Sequence, residues 1–203
     1  MKPLRALIAI AVLACGACTA APAATRAPAV GASPATATDG RSVDPFAGAR
    51  DSLGAMVFVS HECPIANAMA PELARIGATA RRQGVDFYAV HPATWADIET
   101  ARRHAQDFAL DGSMTVLVDP SQRLAKAVGA TVTPEAAVFR RDGVGGFELL
   151  YLGRVNDLYA GIGRRRAQTT SNDLADAIDA AVAGRVTPPP YPKAVGCFIE
   201  LRR

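Results

Sequence analysis

Phe58-Val-Ser-His-Glu-Cys63-Pro-Ile-Ala66-Asn-Ala-Met-Ala-Pro71-Glu-Leu73 sets a cysteine between two segments of opposite periodicity. The residues before it, Ala55 to Ser60, form a short apolar run rich in β-formers, which reads as a buried strand. After it, Ile65, Met69, Leu73, Ile76 and Ala80 recur at spacings of three and four, one face of a helix that Gly84 would end. Pro71 inside that pattern predicts a kink. Cys63 therefore falls at a strand-to-helix junction, where unpaired N–H groups give the helix start a partial positive charge.

The same reading carries outward. Val85 to Val90 and Met114 to Asp119 read as strands. Thr94 to Leu110 reads as a helix begun near Thr94 or Asp97. Ser121 to Gly129 reads as a short helix with Ser121 as cap and Gly129 as stop. Glu135 to Gly143 and Phe147 to Arg154 are two strands joined by a Gly-rich turn, a hairpin. Ser171 to Arg185 is the last helix, capped by Ser171 or Asn172 and ended by Gly184. The order β-α-β-α-β-α-β-β-α predicts an α/β fold, a central mixed sheet flanked by helices, with parallel pairs and an antiparallel hairpin at one side.

Around this core the composition changes. Met1 to Arg5 is basic and Leu7 to Ala14 is apolar but less than half the ~20 residues a membrane span needs, so residues 1–14 read as a secretory signal. Val12-Leu13-Ala14 before Cys15 is a lipobox-like sequence that makes Cys15 the lipidated first residue of the mature chain; cleavage nearer Ala21-Pro22-Ala23 is the alternative, giving a secreted soluble protein. Residues 15–43, mostly Ala, Pro, Thr, Gly and Ser, read as a disordered tether. About 25 flexible residues reach roughly 25–30 Å, enough to hold a domain just off a membrane in the bacterial periplasm. The folded domain is expected over 44–186. Residues 187–203 form a proline-rich extended tail carrying Cys197.

The net charge is +3, and setting aside Lys2 and Arg5 leaves 20 basic against 19 acidic residues, too even for a nucleic-acid binder. The four cysteines, at 15, 18, 63 and 197, form no paired CxxC clusters, which argues against a structural zinc site.

The stretch around Cys63 resembles the active site of the thioredoxin superfamily, in which a strand ends in a Cys-x-x-Cys turn and a proline-containing helix follows. Cys63 falls on the first cysteine, Ala66 on the second, Pro71 on the helix proline, and Thr133-Pro134 on the cis-proline loop that packs against the reactive sulfur. More narrowly, Glu62 to Asn67 (ECPIAN), Thr131 to Glu135 (TVTPE) and Ala194 to Cys197 (AVGC) are similar to motifs of an exported bacterial redoxin (AhpC/TSA-like) group. The resemblance implies a thioredoxin-like fold over roughly residues 50 to 185 and catalytic roles for Cys63, Cys197, Thr133 and Pro134. Two departures stand out: the second cysteine of CxxC is Ala66, and the usual aromatic before the first is Glu62.

A thiolate is the nucleophile in such chemistry, and the helix start would favour it at Cys63. A protonated His61 would help and Glu62 would oppose. The stiff tail can lie across the domain and bring Cys197 to Cys63 as a structural disulfide, as a redox partner, or as an unpaired thiol. A disulfide closing so long a loop would add ~4–5 kcal/mol on the chain-entropy model. Three functions follow. The first is thiol–disulfide exchange on a protein disulfide or thiol of the cell envelope, with no cofactor. The second is a peroxidase, since Ser60-x-x-Cys63-Pro64 resembles the peroxiredoxin core, although Met56 stands where its proline belongs. The third is a non-enzymatic docking or Cu(I)-binding domain using Cys63, Cys197 and His61. His91 reads as a loop residue, His104 as a solvated helix residue, Arg164 to Arg166 as a mobile solvated loop, and Arg154, at a strand end, either as support for a reactive anion or as a partner for Asp157.

Overall fold

A computed structural model describes residues 33–202. The proposed signal, Cys15, Cys18 and the tether up to residue 32 lie outside the described residues. In chain order the elements are β1 (Ala35–Ala37), β2 (Ser42–Val43), β3 (Leu53–Phe58), α1 (Pro64–Arg82), β4 (Asp86–His91), α2 (Ile98–Asp107), β5 (Thr115–Val118), α3 (Arg123–Val128) and β6 (Val132–Thr133). They continue with β7 (Glu135–Arg141), β8 (Phe147–Gly153), β9 (Tyr159–Gly161), β10 (Arg164–Arg165), α4 (Asp173–Val182) and β11 (Cys197–Phe198).

Seven strands make one mixed sheet in the order β2-β1-β5-β4-β3-β7-β8. β3, β4 and β5 run parallel, joined by α1 and α2, while β7 and β8 form the antiparallel hairpin beside β3. Alternation along β3 builds both faces: Ala55 and Val57 enter one core with α1, α2 and α4, and Met56 and Phe58 enter the other with α3 and Phe46. α1 buries Ile65, Met69, Leu73, Ile76 and Ala80, the face that the spacing predicts, and runs unbroken through Pro71. Each such large apolar side chain contributes on the order of 1.5–3 kcal/mol.

The fold begins before residue 44. Where a disordered tether was expected to reach 43, β1 pairs with β5 (Thr36 opposite Val118, Ala37 opposite Leu117) and β2 pairs with β1. The cause is backbone pairing with little side-chain bulk. Ala35 and Ala37 are small and buried, Thr38 N–H donates to Val116 O at 3.0 Å, and the Arg102 guanidinium donates to Thr38 O at 2.6 Å.

Of two helix starts, one takes the second of its two candidates and the other differs from expectation. α2 is capped by Asp97, whose carboxylate accepts from Thr100 N–H at 2.9 Å, so Thr94 stays in the preceding loop. α3 begins at Arg123, and its orphan N–H groups are taken by Asp119, from Arg123 at 3.1 Å and Leu124 at 2.8 Å, while Ser121 only donates its hydroxyl to the same carboxylate. The expected mobile loop holds the β9–β10 pair, with Arg164 and Arg165 exposed and Arg166 bonded to Asp157 at 3.4 Å. Arg154 pairs with Asp173 at 2.8 Å, not with Asp157.

Candidate redox site

Cys63 is the N-cap of α1, in extended conformation with Pro64 at the first helical turn. Ala66 N–H points at its sulfur at 3.5 Å, and Cys63 N–H donates to Ser60 O at 3.0 Å, which fixes the turn that presents the side chain. As a thiol, Cys63 donates to the Thr133 carbonyl oxygen at 3.0 Å. The Thr133–Pro134 bond is cis, as expected.

The tail closes over this junction. Arg154 N–H donates to Pro192 O at 3.0 Å and Tyr191 packs its ring against Tyr151 at 5.3 Å, which turns the chain back across the sheet end. Cys197 and Phe198 then pair antiparallel with Thr133 and Val132. The approach is so close at Gly196 that a β-carbon there would overlap the Thr133 carbonyl, which explains the glycine of the AVGC motif. The structure thus brings Cys63, Thr133, Pro134 and Cys197 together. The two cysteines are unjoined thiols, Cys63 buried and Cys197 exposed.

Their acidities diverge. Burial pushes the Cys63 thiol up, but hydrogen bonds from the Cys197 thiol, Ala66 N–H, the Thr133 hydroxyl and Cys197 N–H outweigh it, and the net direction is down. Cys197 goes the other way, pushed up to about 11 by burial, by its hydrogen bond to Cys63 and by the charge Cys63 carries. The first proton to leave the pair comes from Cys63. A cleft of about 330 Å³ opens beside both cysteines, walled by Glu62, Trp95, Gln122 and Phe198. Trp95 and Phe198 are large apolar side chains left exposed at its rim.

His61 is not joined to the sulfurs. Its ring meets Trp95 edge-on at 5.2 Å, and its Nδ1 is buried without a partner. Among the described residues no group of three or more His, Cys, Asp or Glu is arranged to hold a metal ion.

His91 and His104 depart from expectation. Both are buried, and with Asn67 they form a chain behind the cysteine turn. Asn67 Nδ2 donates to the His61 carbonyl at 2.9 Å, so its Oδ1 faces His104 and must accept from His104 Nε2–H at 3.0 Å. His104 Nδ1 is then left to accept from His91 Nε2–H at 3.4 Å. Burial, with the nearby His104 and His61, lowers His91 to about 3; burial with His61 lowers His104 to about 4. Both imidazoles stay neutral at ordinary pH. Spacing in the sequence carries no sign of this contact, because the two histidines lie on a strand and on the crossover helix after it.

The strand order, the helix-capping cysteine and the cis-proline beside it define a thioredoxin-like fold. No protein-family model matches the chain, and no curated protein matches it. Among solved structures it is similar to an uncharacterized conserved protein from Geobacillus kaustophilus, with 22% identity over 89% of this chain and 94% of the other and a TM-score of 0.70. It is also similar to MTB DsbF in its mixed oxidized and reduced forms, with 17% identity over 76% and 98% and a TM-score of 0.54. A thiol-disulfide oxidoreductase from Bacteroides fragilis shares 16% identity over 63% and 89%, with a TM-score of 0.50.

Proposed function

We propose that this chain is an exported, lipid-tethered thiol–disulfide oxidoreductase in which Cys63 is the nucleophile and Cys197 replaces the missing neighbour of a CxxC pair. The observation that carries the reading is that Cys63 caps α1 with its thiol on the Thr133 carbonyl while the tail pairs Cys197 opposite that same Thr133; the acidities diverge in the matching sense, Cys63 down and Cys197 up. In each turnover the Cys63 thiolate attacks one sulfur of a protein disulfide. The substrate S–S bond breaks, the displaced sulfur takes a proton, and a mixed disulfide forms. Cys197, losing its proton, then attacks the Cys63 sulfur and expels the second substrate thiol. The substrate disulfide is reduced to two thiols while Cys63 and Cys197 are oxidised to a disulfide. A dithiol donor resets the pair, and the reverse sequence oxidises a substrate dithiol. That a structural neighbour is a thiol-disulfide oxidoreductase agrees with this reading.

The test is turnover of an envelope-protein disulfide by the wild type, Cys63→Ser and Cys197→Ser. Activity lost in the first variant, with a covalent substrate adduct accumulating in the second, supports the reading. Turnover surviving Cys63→Ser refutes it. Consumption of peroxide dependent on Cys63, without disulfide turnover, assigns the site to peroxide instead.

A further inference from the structure

Gln122 lies in the loop between β5 and α3, far from either cysteine in sequence, yet it lines the same cleft. It is almost wholly buried, at 1% exposure, and adopts a left-handed backbone with φ +60°. For a residue other than glycine, asparagine or aspartate that conformation is uncommon. The side chain it presents is used completely. Nε2 donates to Pro92 O at 3.1 Å and to Glu200 O at 2.8 Å, and Oε1 accepts from Arg202 N–H at 2.7 Å. A primary amide has two donor hydrogens, and both are engaged along with the oxygen.

Bonding Glu200 O and Arg202 N–H with one amide is how a residue of a parallel strand bonds to either side of its neighbour. Gln122 thus stands in for a strand residue opposite Leu201 and fixes the register of the tail's end. On the other side of Cys197 the tail is fixed by Pro192 O on Arg154 and by the tight seat of Gly196. Between these points the backbone is held by the β6 pairing, by the Thr133 hydroxyl donating to Cys197 O at 3.4 Å and by Ile199 N–H donating to Thr131 O at 2.9 Å. Apolar burial adds little beyond Val195 and Ile199, because Phe198 and Leu201 are exposed.

We propose that Gln122 is the positioning residue of the cysteine pair. By pinning Glu200 and Arg202 it holds Cys197 over Cys63 and sets the effective concentration of one thiol at the other. This rests on the reading of Cys63 and Cys197 as redox partners. Loss of the amide leaves both sulfurs present and the Ala66 and Thr133 donors to Cys63 in place, but lets the tail's end, with Cys197, leave the cleft.

The experiment is the reduction potential of the Cys63–Cys197 couple in glutathione buffers for the wild type, for Gln122→Met and for a chain ending at Ile199. Gln122→Met keeps side-chain bulk without the amide; the shortened chain keeps Gln122 and removes its two tail partners. Both are expected to weaken the disulfide about tenfold, raising the potential by about 30 mV, while thermal unfolding of the reduced domain stays close to wild type. Should Gln122→Met fail to fold, the shortened chain decides alone. Wild-type potentials in the folded variants overturn the role of Gln122. A shift in Gln122→Met that the shortened chain does not share overturns it as well. A wild type that forms no Cys63–Cys197 disulfide overturns the pairing itself, and is told apart from loss of activity because no substrate is present.

Discussion

Thr133 and Cys197 stand opposite one another as antiparallel strand partners, and the carbonyl of that same Thr133 accepts the Cys63 thiol proton. One residue therefore connects three parts of the chain that are distant in sequence: the helix N-cap, the cis-proline loop and the tail. The thiol missing from Ala66 returns through β11. The acidity of the sulfur that returns is pushed up while that of Cys63 is pushed down.

Replacing Cys197 by alanine tests that separation. The Cys63 thiolate loses the thiol that donates to it, so its acidity is expected to move back up toward an ordinary thiol. Thiolate ultraviolet absorbance followed across pH reads the inflection directly. An inflection unchanged or lowered in Cys197→Ala shows that the Ala66 and Thr133 donors suffice alone.

Much of this was legible beforehand. The apolar runs of β3, β4 and β5 and the three–four spacing of α1 carry their own periodicity, and the resemblance of the Cys63 stretch to the thioredoxin superfamily implies the cis bond at Pro134. What was hidden had no local signal. Ala35-Thr36-Ala37 looks like tether because its order comes from ladder bonds to β5 and not from its side chains. His104 follows polar neighbours on α2, and only packing turns it toward His91 and Asn67. Gln122 resembles any polar residue before a short helix until the tail is in place.

Gly196→Ala places a β-carbon against the Thr133 carbonyl, which is backbone and cannot swing away. The tail must lift at that point, and Cys197 moves with it. Closure of the Cys63–Cys197 disulfide is expected to slow roughly tenfold or more, since ångström displacements of reacting groups cost this much. The unfolding temperature is expected to stay close to wild type, because the seven-stranded sheet does not include the tail. Stopped-flow oxidation by glutathione disulfide measures the rate, and a wild-type rate would show that the tail tolerates the displacement.

Asp119, not Ser121, carries the start of α3. It is buried and accepts from Arg123 N–H, Leu124 N–H and the Ser121 hydroxyl. Asp119→Ala is expected to destabilise the domain by about 1–2 kcal/mol in urea unfolding, and Ser121→Ala by less. The reverse order would return the capping role to Ser121.

The neutral histidine chain makes stability depend on pH with a definite sign. His104 is lowered to about 4 and His91 to about 3, both below the 6.5 of an unfolded histidine. Their contribution is therefore fully present above about pH 6.5 and is lost as pH falls toward the folded values, because the unfolded chain takes up protons there first. For His104 the displacement corresponds to about 3 kcal/mol before screening by solvent, which reduces it. His104→Gln removes that titration while keeping an amide donor for Asn67. Unfolding free energy measured in urea at pH 7 and pH 4 should fall less between the two in the variant than in the wild type. Equal losses would mean that the buried imidazoles gain solvent or a counter-charge on acidification, and that the chain from His91 to the cysteine turn does not govern acid stability.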